Sequence, residues 1–265
     1  MRKFSNKTSD YEKIIRSGRS QGRGSDFKPG LRIQDVSSHS VRYRVFLLRF
    51  NRILHLMSNA ERVTALLLDW DPCVKEIREQ FILEPNITLE IANELGFLHP
   101  GYTNNTINMT TDFLVTKEIP KEGLVLRAYQ IKSNESDITP RVRAKLKIEE
   151  SYWKIRDVKW TLVFSDKYNK TLCKNLDLLY PFRNQNYSED FLYFLKDKVL
   201  RFQSKNMDMP FSETNSIKLF DDKIHGQYLD EAIKILIGHQ MLFFNINYTL
   251  LFNINMCDIT EDNHG

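Results

Sequence analysis

The chain has 265 residues, of which 42% are hydrophobic and 27% are charged. This length predicts two domains of ordinary size, and the 17 Phe and 11 Tyr are enough to build two cores. The longest apolar runs are far below the ~20 residues that a membrane span requires, so we expect a soluble, cytoplasmic protein without membrane contact. The three scattered cysteines fit reduced thiols and form no zinc pattern.

The net charge of +4 is unevenly distributed along the chain. Residues 1–52 contain thirteen Lys or Arg against four Asp or Glu, whereas residues 166–265 contain eleven against fourteen. Residues 1–30 also hold four Gly and one late Pro, which predicts a flexible basic arm with a short helix near residues 9–16. Such an arm is typical of a segment that follows a phosphate backbone, and a disordered charged tail is the alternative.

Strands and helices are predicted to alternate after the arm, as expected for a mixed α/β core that ends near Ser165. Ser58 and Glu61 form a capping box at the start of one helix. Strands are predicted within 41–57 (a hairpin), 74–83 (with a turn as the alternative for its first part), 109–115, 126–133 and 160–164, and helices from residue 58 to Trp70, over 88–95 and over 141–155.

Three polar residues of the hairpin formed by 109–115 and 126–133 are predicted to meet at one end of the sheet. Because strand side chains alternate, Gln130 and Lys132 share a face while Ile131 points into the core, and Asp112 lies at the mouth of the preceding strand. Mg²⁺ prefers oxygen ligands, and a nearby lysine can orient an attacking water and offset charge on a phosphate. The set therefore indicates phosphodiester hydrolysis, and a solvated strand face is the alternative.

Glu61 can be interpreted in two ways. At the third position of a helix, its carboxylate can accept a hydrogen bond from the N-cap amide, which would make it a structural residue. It can also complete an acidic cluster with Asp112. Its position in the sequence does not separate these roles.

Residues 166–265 are predicted to form a second domain, with helices over 168–180, 188–202 and 228–237. Residues 241–254 are predicted to be two strands around an Asn-containing turn, and helices followed by a hairpin describe a winged helix. Because this half is acidic, we favour protein docking over DNA binding for it. The apolar hairpin either completes the fold, the interpretation that we favour, or contacts a partner.

Several ordered motifs in residues 10–165 resemble the TnsA family, the endonuclease subunits of heteromeric bacterial transposases that move by cut-and-paste. The resemblance includes the basic Gly-rich arm and covers essentially this whole half. Its motifs are 55–61 (HLMSNAE), 77–81 (IREQF), 99–100 (HP), 109–115 (MTTDFLV), 129–132 (YQIK) and 145–149 (KLKIE), with Tyr152-Trp153.

The resemblance implies an α/β fold, with a restriction-endonuclease-like mixed-sheet core in residues 1–165 and a C-terminal winged helix in residues 166–265. This chain has Asn59 and Ala60 where the family is expected to have an acidic residue and Leu. The difference does not affect Glu61, which follows them. The family's functional positions fall on Glu61, Asp112, Gln130 and Lys132, with the backbone carbonyl of Ile131 as a further metal ligand and Glu149 as support for the site.

The resemblance also implies the cofactor, Mg²⁺ with Mn²⁺ as a substitute, and the partners. The chain is expected to hydrolyse the strand at the 5′ side of transposon ends, while an integrase-like transposase subunit of the TnsB type cuts the 3′ side. The C-terminal half is expected to contact an ATPase regulator of the TnsC type. A freestanding restriction or junction-resolving nuclease and a non-catalytic adaptor are the alternatives. Double-stranded DNA is expected to contact Arg16, Arg19, Arg23, Lys28, Arg42 and Arg44.

Overall fold

A computed structural model describes residues 10–35, 41–102, 105–220 and 226–262. The chain divides into one unit of residues 1–168 and a second of residues 169–265. No helix in these described ranges has the length and apolar character needed to cross a bilayer. The first unit contains α1 (Tyr11–Arg16), β1 (Tyr43–Leu47), β2 (Arg52–Leu56), α2 (Asn59–Trp70), β3 (Val74–Ile82), α3 (Pro85–Glu94), β4 (Gly101–Tyr102), β5 (Asn105–Thr106), β6 (Thr110–Ile119), β7 (Gly123–Lys132), α4 (Pro140–Ile155) and β8 (Lys159–Phe164).

The first unit is built on a mixed four-stranded sheet in the order β3-β6-β7-β8. The β3-β6 and β6-β7 pairs are antiparallel, and β7 pairs with β8 in parallel through the crossover helix α4. This topology confirms the predicted mixed α/β core. The hairpin strands β6 and β7 run to within three residues of each other, so they are longer than predicted. The charged residues before the turn continue the ladder, as in the pair Glu118 and Leu124.

Helix α4 covers the sheet with an apolar face. Its N-cap Thr139 accepts a hydrogen bond from the amide of Val142 at 3.3 Å, and Pro140 occupies the first turn, where its missing N–H costs nothing. Ile148 and Tyr152 of the helix are buried in one cluster with Leu114 of β6 and Ala128 of β7. The helix that follows the hairpin is thereby fixed over the strands that carry the candidate site.

Residues 17–35 are folded onto β3, the edge strand of the sheet, and the prediction of a flexible arm is wrong for them. Ser20 Oγ accepts a hydrogen bond from the amide of Ile82 at 2.8 Å, and the amide of Gly30 donates to the carbonyl of Gln80 at 3.0 Å. Polar backbone groups of an edge strand need partners, and this segment supplies them. Residues 1–9, the start of the predicted arm, lie outside the described residues.

The second unit contains the three predicted helices, as α5 (Lys170–Arg183), α6 (Glu189–Gln203) and α7 (Leu229–Gly238). The two strands predicted within residues 241–254 are wrong. In the described part of this unit, β pairing is limited to isolated bridges, such as Phe243 with Thr260. A winged helix is therefore not confirmed.

The side chain of Asn175 on α5 explains why residues 241–254 do not pair as strands. Its amide nitrogen donates to the carbonyls of Ile246 and Thr249, both at 2.9 Å, and its oxygen accepts from the amide of Leu251 at 3.1 Å. A buried side chain thus takes backbone groups that a hairpin would pair with one another.

Replacing Asn175 by Ala is expected to destabilise the second unit. The change leaves the buried amide of Leu251 and the partly buried carbonyls of Ile246 and Thr249 without this partner. A buried polar group that loses its partner costs about 1 to 3 kcal/mol. Thermal unfolding should show a lower Tm for the variant. Lys174, the preceding residue of α5, is exposed and provides a control through Lys174→Ala. Equal Tm values for the two variants would contradict this role of Asn175.

Candidate active site

Asp112 lies at the centre of the sheet, between Gln80 of β3 and Gln130 of β7. The register sets this arrangement, since Phe113 pairs with Glu79 on one side and with Tyr129 on the other. The amide of Asp112 donates to Gln130 Oε1 at 3.4 Å. Its carboxylate Oδ2 accepts from the amide of Ile131 at 2.8 Å. The Asp and the Gln of the predicted set are therefore in direct contact.

Glu61 reaches the same place from the first turn of α2. The N-cap Ser58 accepts from the Glu61 amide at 3.1 Å and donates to Glu61 Oε1 at 3.0 Å. Glu61 Oε2 accepts from the amide of Met57 at 2.9 Å and from Gln80 Nε2 at 3.0 Å. The carboxylate therefore caps the helix and also joins the polar group on the sheet, so the two interpretations of Glu61 are compatible.

The two carboxylates are buried, and the charge of Asp112 disfavours the ionisation of Glu61. Burial, followed by the charge of Asp112, raises the pKa of Glu61 to about 8. Burial also raises the pKa of Asp112, although Lys132 and the amide of Ile131 act in the opposite direction. A bound cation would favour the ionised form of both side chains, because it supplies the positive charge that burial removes.

Gln80 is a member of this site to which the sequence analysis assigned no role. It is buried, donates to Glu61 and, through a side-chain hydrogen bond, lowers the pKa of Asp112. Its backbone has a φ of +49°, which is unusual for a residue other than Gly. The only signal in the sequence was its place in the motif of residues 77–81.

Lys132 lies two residues beyond Gln130 at the end of β7 and is half-buried. Its charge lowers the pKa of Asp112 and of Glu149, each against the larger effect of burial. Lys145 of α4 belongs to the same environment, because burial, Arg141 and Lys132 together lower its pKa. The structure thus brings Lys132 within electrostatic range of the carboxylates and adds a second lysine, Lys145.

Glu149 is buried on α4, beneath the strand that carries Asp112. Its Oε1 accepts from Thr111 Oγ1 at 2.7 Å and from Trp160 Nε1 at 3.0 Å. Thr111 also accepts from Trp153 Nε1 at 2.7 Å. Glu149 therefore holds the residue next to Asp112 in place. This contact fits the predicted supporting role.

Glu149 is expected to make the protein less stable as the pH rises. Burial raises its pKa from 4.5 to about 8, so between these values the folded state keeps a proton that the unfolded state loses. Stability therefore falls from pH 5 to pH 8. Glu149→Gln keeps the acceptor and removes the ionisation, so the variant should exceed the wild type by on the order of 3 kcal/mol at pH 8 and by little at pH 5. Urea unfolding at both pH values checks this, and a difference that does not change with pH would refute it.

The basic residues predicted to bind DNA differ in their accessibility. Arg19 is 4% exposed, donates to Asp35 Oδ2 at 2.5 Å, and is therefore a structural residue rather than a DNA contact. Arg42 is half-buried and donates to the carbonyl of Ile33 at 2.7 Å. Arg16, Arg23, Lys28 and Arg44 are exposed.

The donor set fits a hard divalent cation. It offers two buried carboxylates, Glu61 and Asp112, together with the amide of Gln130. Over the described ranges, no group of three or more His, Cys, Asp or Glu side chains is placed to hold a metal. A metal here would therefore need amide, carbonyl or water oxygens to complete its shell, which Mg²⁺ accepts readily. The contact between Ile131 and Asp112 uses the Ile131 amide, and its carbonyl stays a predicted ligand.

Residues 71–165, which contain most of the sheet and Asp112, Gln130 and Lys132, match the family described as "TnsA-like endonuclease N terminal". The segment that forms the sheet is thus a TnsA-like endonuclease domain. Over 245 residues the chain is 32% identical to the Transposon Tn7 transposition protein TnsA of Escherichia coli. The alignment covers 92% of this chain and 87% of that protein. The chain belongs to the TnsA family and is an endonuclease subunit of a Tn7-like transposase, which confirms the resemblance of its motifs.

Proposed function

We propose that this site hydrolyses DNA with the help of Mg²⁺, which Mn²⁺ can replace. One observation carries the proposal: Glu61 and Asp112, which are fifty-one positions apart in the sequence, are both buried in one polar site. Gln80 donates to Glu61 there, and Gln130 accepts from the amide of Asp112. Isolated buried carboxylates of this kind are costly unless a cation joins them. A divalent ion would supply Lewis-acid stabilisation of the scissile phosphate there.

Each side chain has a distinct role in this proposal. Asp112 and Glu61 hold the cation, and Gln130 adds an amide oxygen, with the carbonyl of Ile131 as a further ligand. Lys132 orients the attacking water and offsets the negative charge that develops on the phosphate. Glu149 keeps the strand of Asp112 in position through Thr111. In the reaction, the oxygen of the attacking water forms a bond to phosphorus and the bond from phosphorus to one ester oxygen of a single strand breaks. The water gives up a proton, and the leaving oxygen takes one up.

The biological assignment rests on membership of the TnsA family. We propose that the chain cuts the 5′ side of transposon ends in the bacterial cytoplasm, while an integrase-like transposase subunit cuts the 3′ side. The second unit is proposed to contact an ATPase regulator, in agreement with the net acidic charge of residues 166–265. Among the predicted DNA contacts, the exposed Arg16, Arg23, Lys28 and Arg44 are the side chains that can reach a phosphate backbone.

Strand-specific cleavage tests this proposal. Transposon-end DNA labelled on either strand is incubated with Mg²⁺, the chain and a TnsB-type partner whose own nuclease site is inactivated. We expect cuts at the 5′ side only. These cuts should be lost with Lys132→Ala and kept with Lys159→Ala, which replaces an exposed lysine of the same sheet. Cutting of the 3′ strand, or equal activity of both variants, would refute it. Efficient cutting by the chain alone would instead favour the freestanding nuclease.

A further inference from the structure

The backbone of Gln80 is held in a conformation that residues with a side chain rarely adopt. Its φ is +49°, and its side chain is only 3% exposed. Gln80 lies in β3 between two residues that keep the strand register, since Glu79 pairs with Phe113 and Phe81 pairs with Thr111. Such a conformation persists only where the surroundings fix it, and it occurs most often at functional sites.

The surroundings that fix Gln80 are provided by residues 19–35, which we call the N-terminal brace. The amide of Gly30 donates to the carbonyl of Gln80 at 3.0 Å. Two residues further along β3, the amide of Ile82 donates to Ser20 Oγ at 2.8 Å. The brace therefore holds the backbone at Gln80 and just after it.

Gly30 is required at its position because the brace and β3 approach each other closely. A Cβ atom added to Gly30 would lie 2.8 Å from the carbonyl oxygen of Gln80 and 2.9 Å from Cβ of Ile82. Both are closer than real Cβ contacts, and neither atom can move without moving the strand. The other side of Gly30 is also fixed, because its carbonyl accepts from Arg19 at 3.4 Å and Arg19 is paired with Asp35.

The conformation at Gln80 has a direct consequence for the site. From this backbone position, Gln80 Nε2 donates to Glu61 Oε2 at 3.0 Å, and Gln80 Oε1 accepts from Thr110 Oγ1 at 3.4 Å. Thr110 thereby fixes which end of the amide faces Glu61. Without this donor, the partners of the Glu61 carboxylate among the described residues would be the amide of Met57 and the hydroxyl of Ser58, both at the start of its own helix.

We infer that Gln80 is a positioning residue that orients the Glu61 carboxylate for a divalent cation beside Asp112, and that the N-terminal brace sets its conformation. This inference rests on the proposed function of the same site. Groups that orient metal ligands typically contribute 10- to 100-fold to metal affinity or activity. The brace contains none of the predicted metal ligands, and it influences the geometry of the metal site through Gln80.

Titration of Mn²⁺ into the full chain by calorimetry tests the inference without a requirement for cleavage. Gln80→Ala removes the amide, and Gly30→Ala leaves every side chain of the site intact while it displaces the carbonyl of Gln80. Both variants should bind Mn²⁺ about 10- to 100-fold more weakly than the wild type. Ser25→Ala is the control, because Ser25 belongs to the same brace and is exposed. It should bind Mn²⁺ as the wild type does.

The outcomes separate the inference from the function on which it rests. Wild-type affinity in both Gln80→Ala and Gly30→Ala would overturn the inference and leave the metal site standing. A wild type that binds no Mn²⁺ would refute the metal site itself. In cleavage assays, a positioning role also predicts that Gln80→Ala needs more Mn²⁺ for half-maximal rate and recovers at saturating Mn²⁺, whereas a loss that persists at saturation would contradict it.

Discussion

Replacing Asp112 by Asn is expected to abolish DNA cleavage while it makes the protein more stable. Asn keeps an oxygen that can accept from the amide of Ile131, so the local fold survives. It removes one of the two charges that would hold the cation, and the loss of such transition-state stabilisation typically lowers the rate by ~10²- to 10³-fold or more. Stability rises at pH 8 because burial raises the pKa of Asp112, so the folded state bears a cost for the ionised carboxylate.

The two measurements are the single-turnover cleavage rate and the free energy of unfolding in urea. Exposed Asp166 provides the control, since Asp166→Asn should change neither quantity substantially. A cleavage rate within threefold of wild type for Asp112→Asn would show that the site has been assigned to the wrong carboxylate. Lower stability of that variant would show that Asp112 is a structural residue.

Replacing Arg52 by Met is expected to destabilise the first unit strongly. Arg52 Nη1 donates to Glu79 Oε1 at 3.0 Å, and Nη2 donates to the carbonyl of Ile77 at 2.8 Å. Glu79 is fully buried, and Oε1 also accepts from the amide of His55 at 3.1 Å. The ion pair thus joins the β1-β2 hairpin to β3. Removal of one partner leaves a buried charge, which costs about 3 to 5 kcal/mol.

Urea unfolding of single and double variants separates this cost from the loss of the side chain itself. Arg52→Met with Glu79→Leu removes both charges, and the double variant should recover much of the stability that the single variant loses. A single variant that loses less than 1 kcal/mol would contradict the account. So would a double variant that is less stable than the single one.

Local sequence signals predicted most of the first unit. Capping at Ser58, strand alternation around Gln130 and the amphipathic pattern of α4 act over a few residues, and the structure contains all of these elements. The contact of Asp112 with Gln130 also follows from hairpin register. These features depend on neighbours in the sequence, which is why the sequence suffices for them.

Other features depend on residues that are distant in the sequence. Arg19 has the composition signal of a DNA-binding arm, but Asp35 and Gly30 bury it against the sheet. The apolar alternation after residue 240 predicted strands, and three hydrogen bonds from Asn175 override it. Gln80 carries no local signal beyond its place in the motif of residues 77–81, because its role arises from contacts with Glu61 and with the brace.

The most direct test of the central claim is to locate Mn²⁺ in crystals of the protein by anomalous diffraction. The account predicts one strong anomalous peak within coordination distance of both Glu61 and Asp112, beside Gln130, and its disappearance in crystals of Asp112→Asn. A peak that contacts neither carboxylate, or a well-ordered wild-type site that stays empty at high Mn²⁺ concentration, would contradict the assignment of these residues as the metal site of the endonuclease.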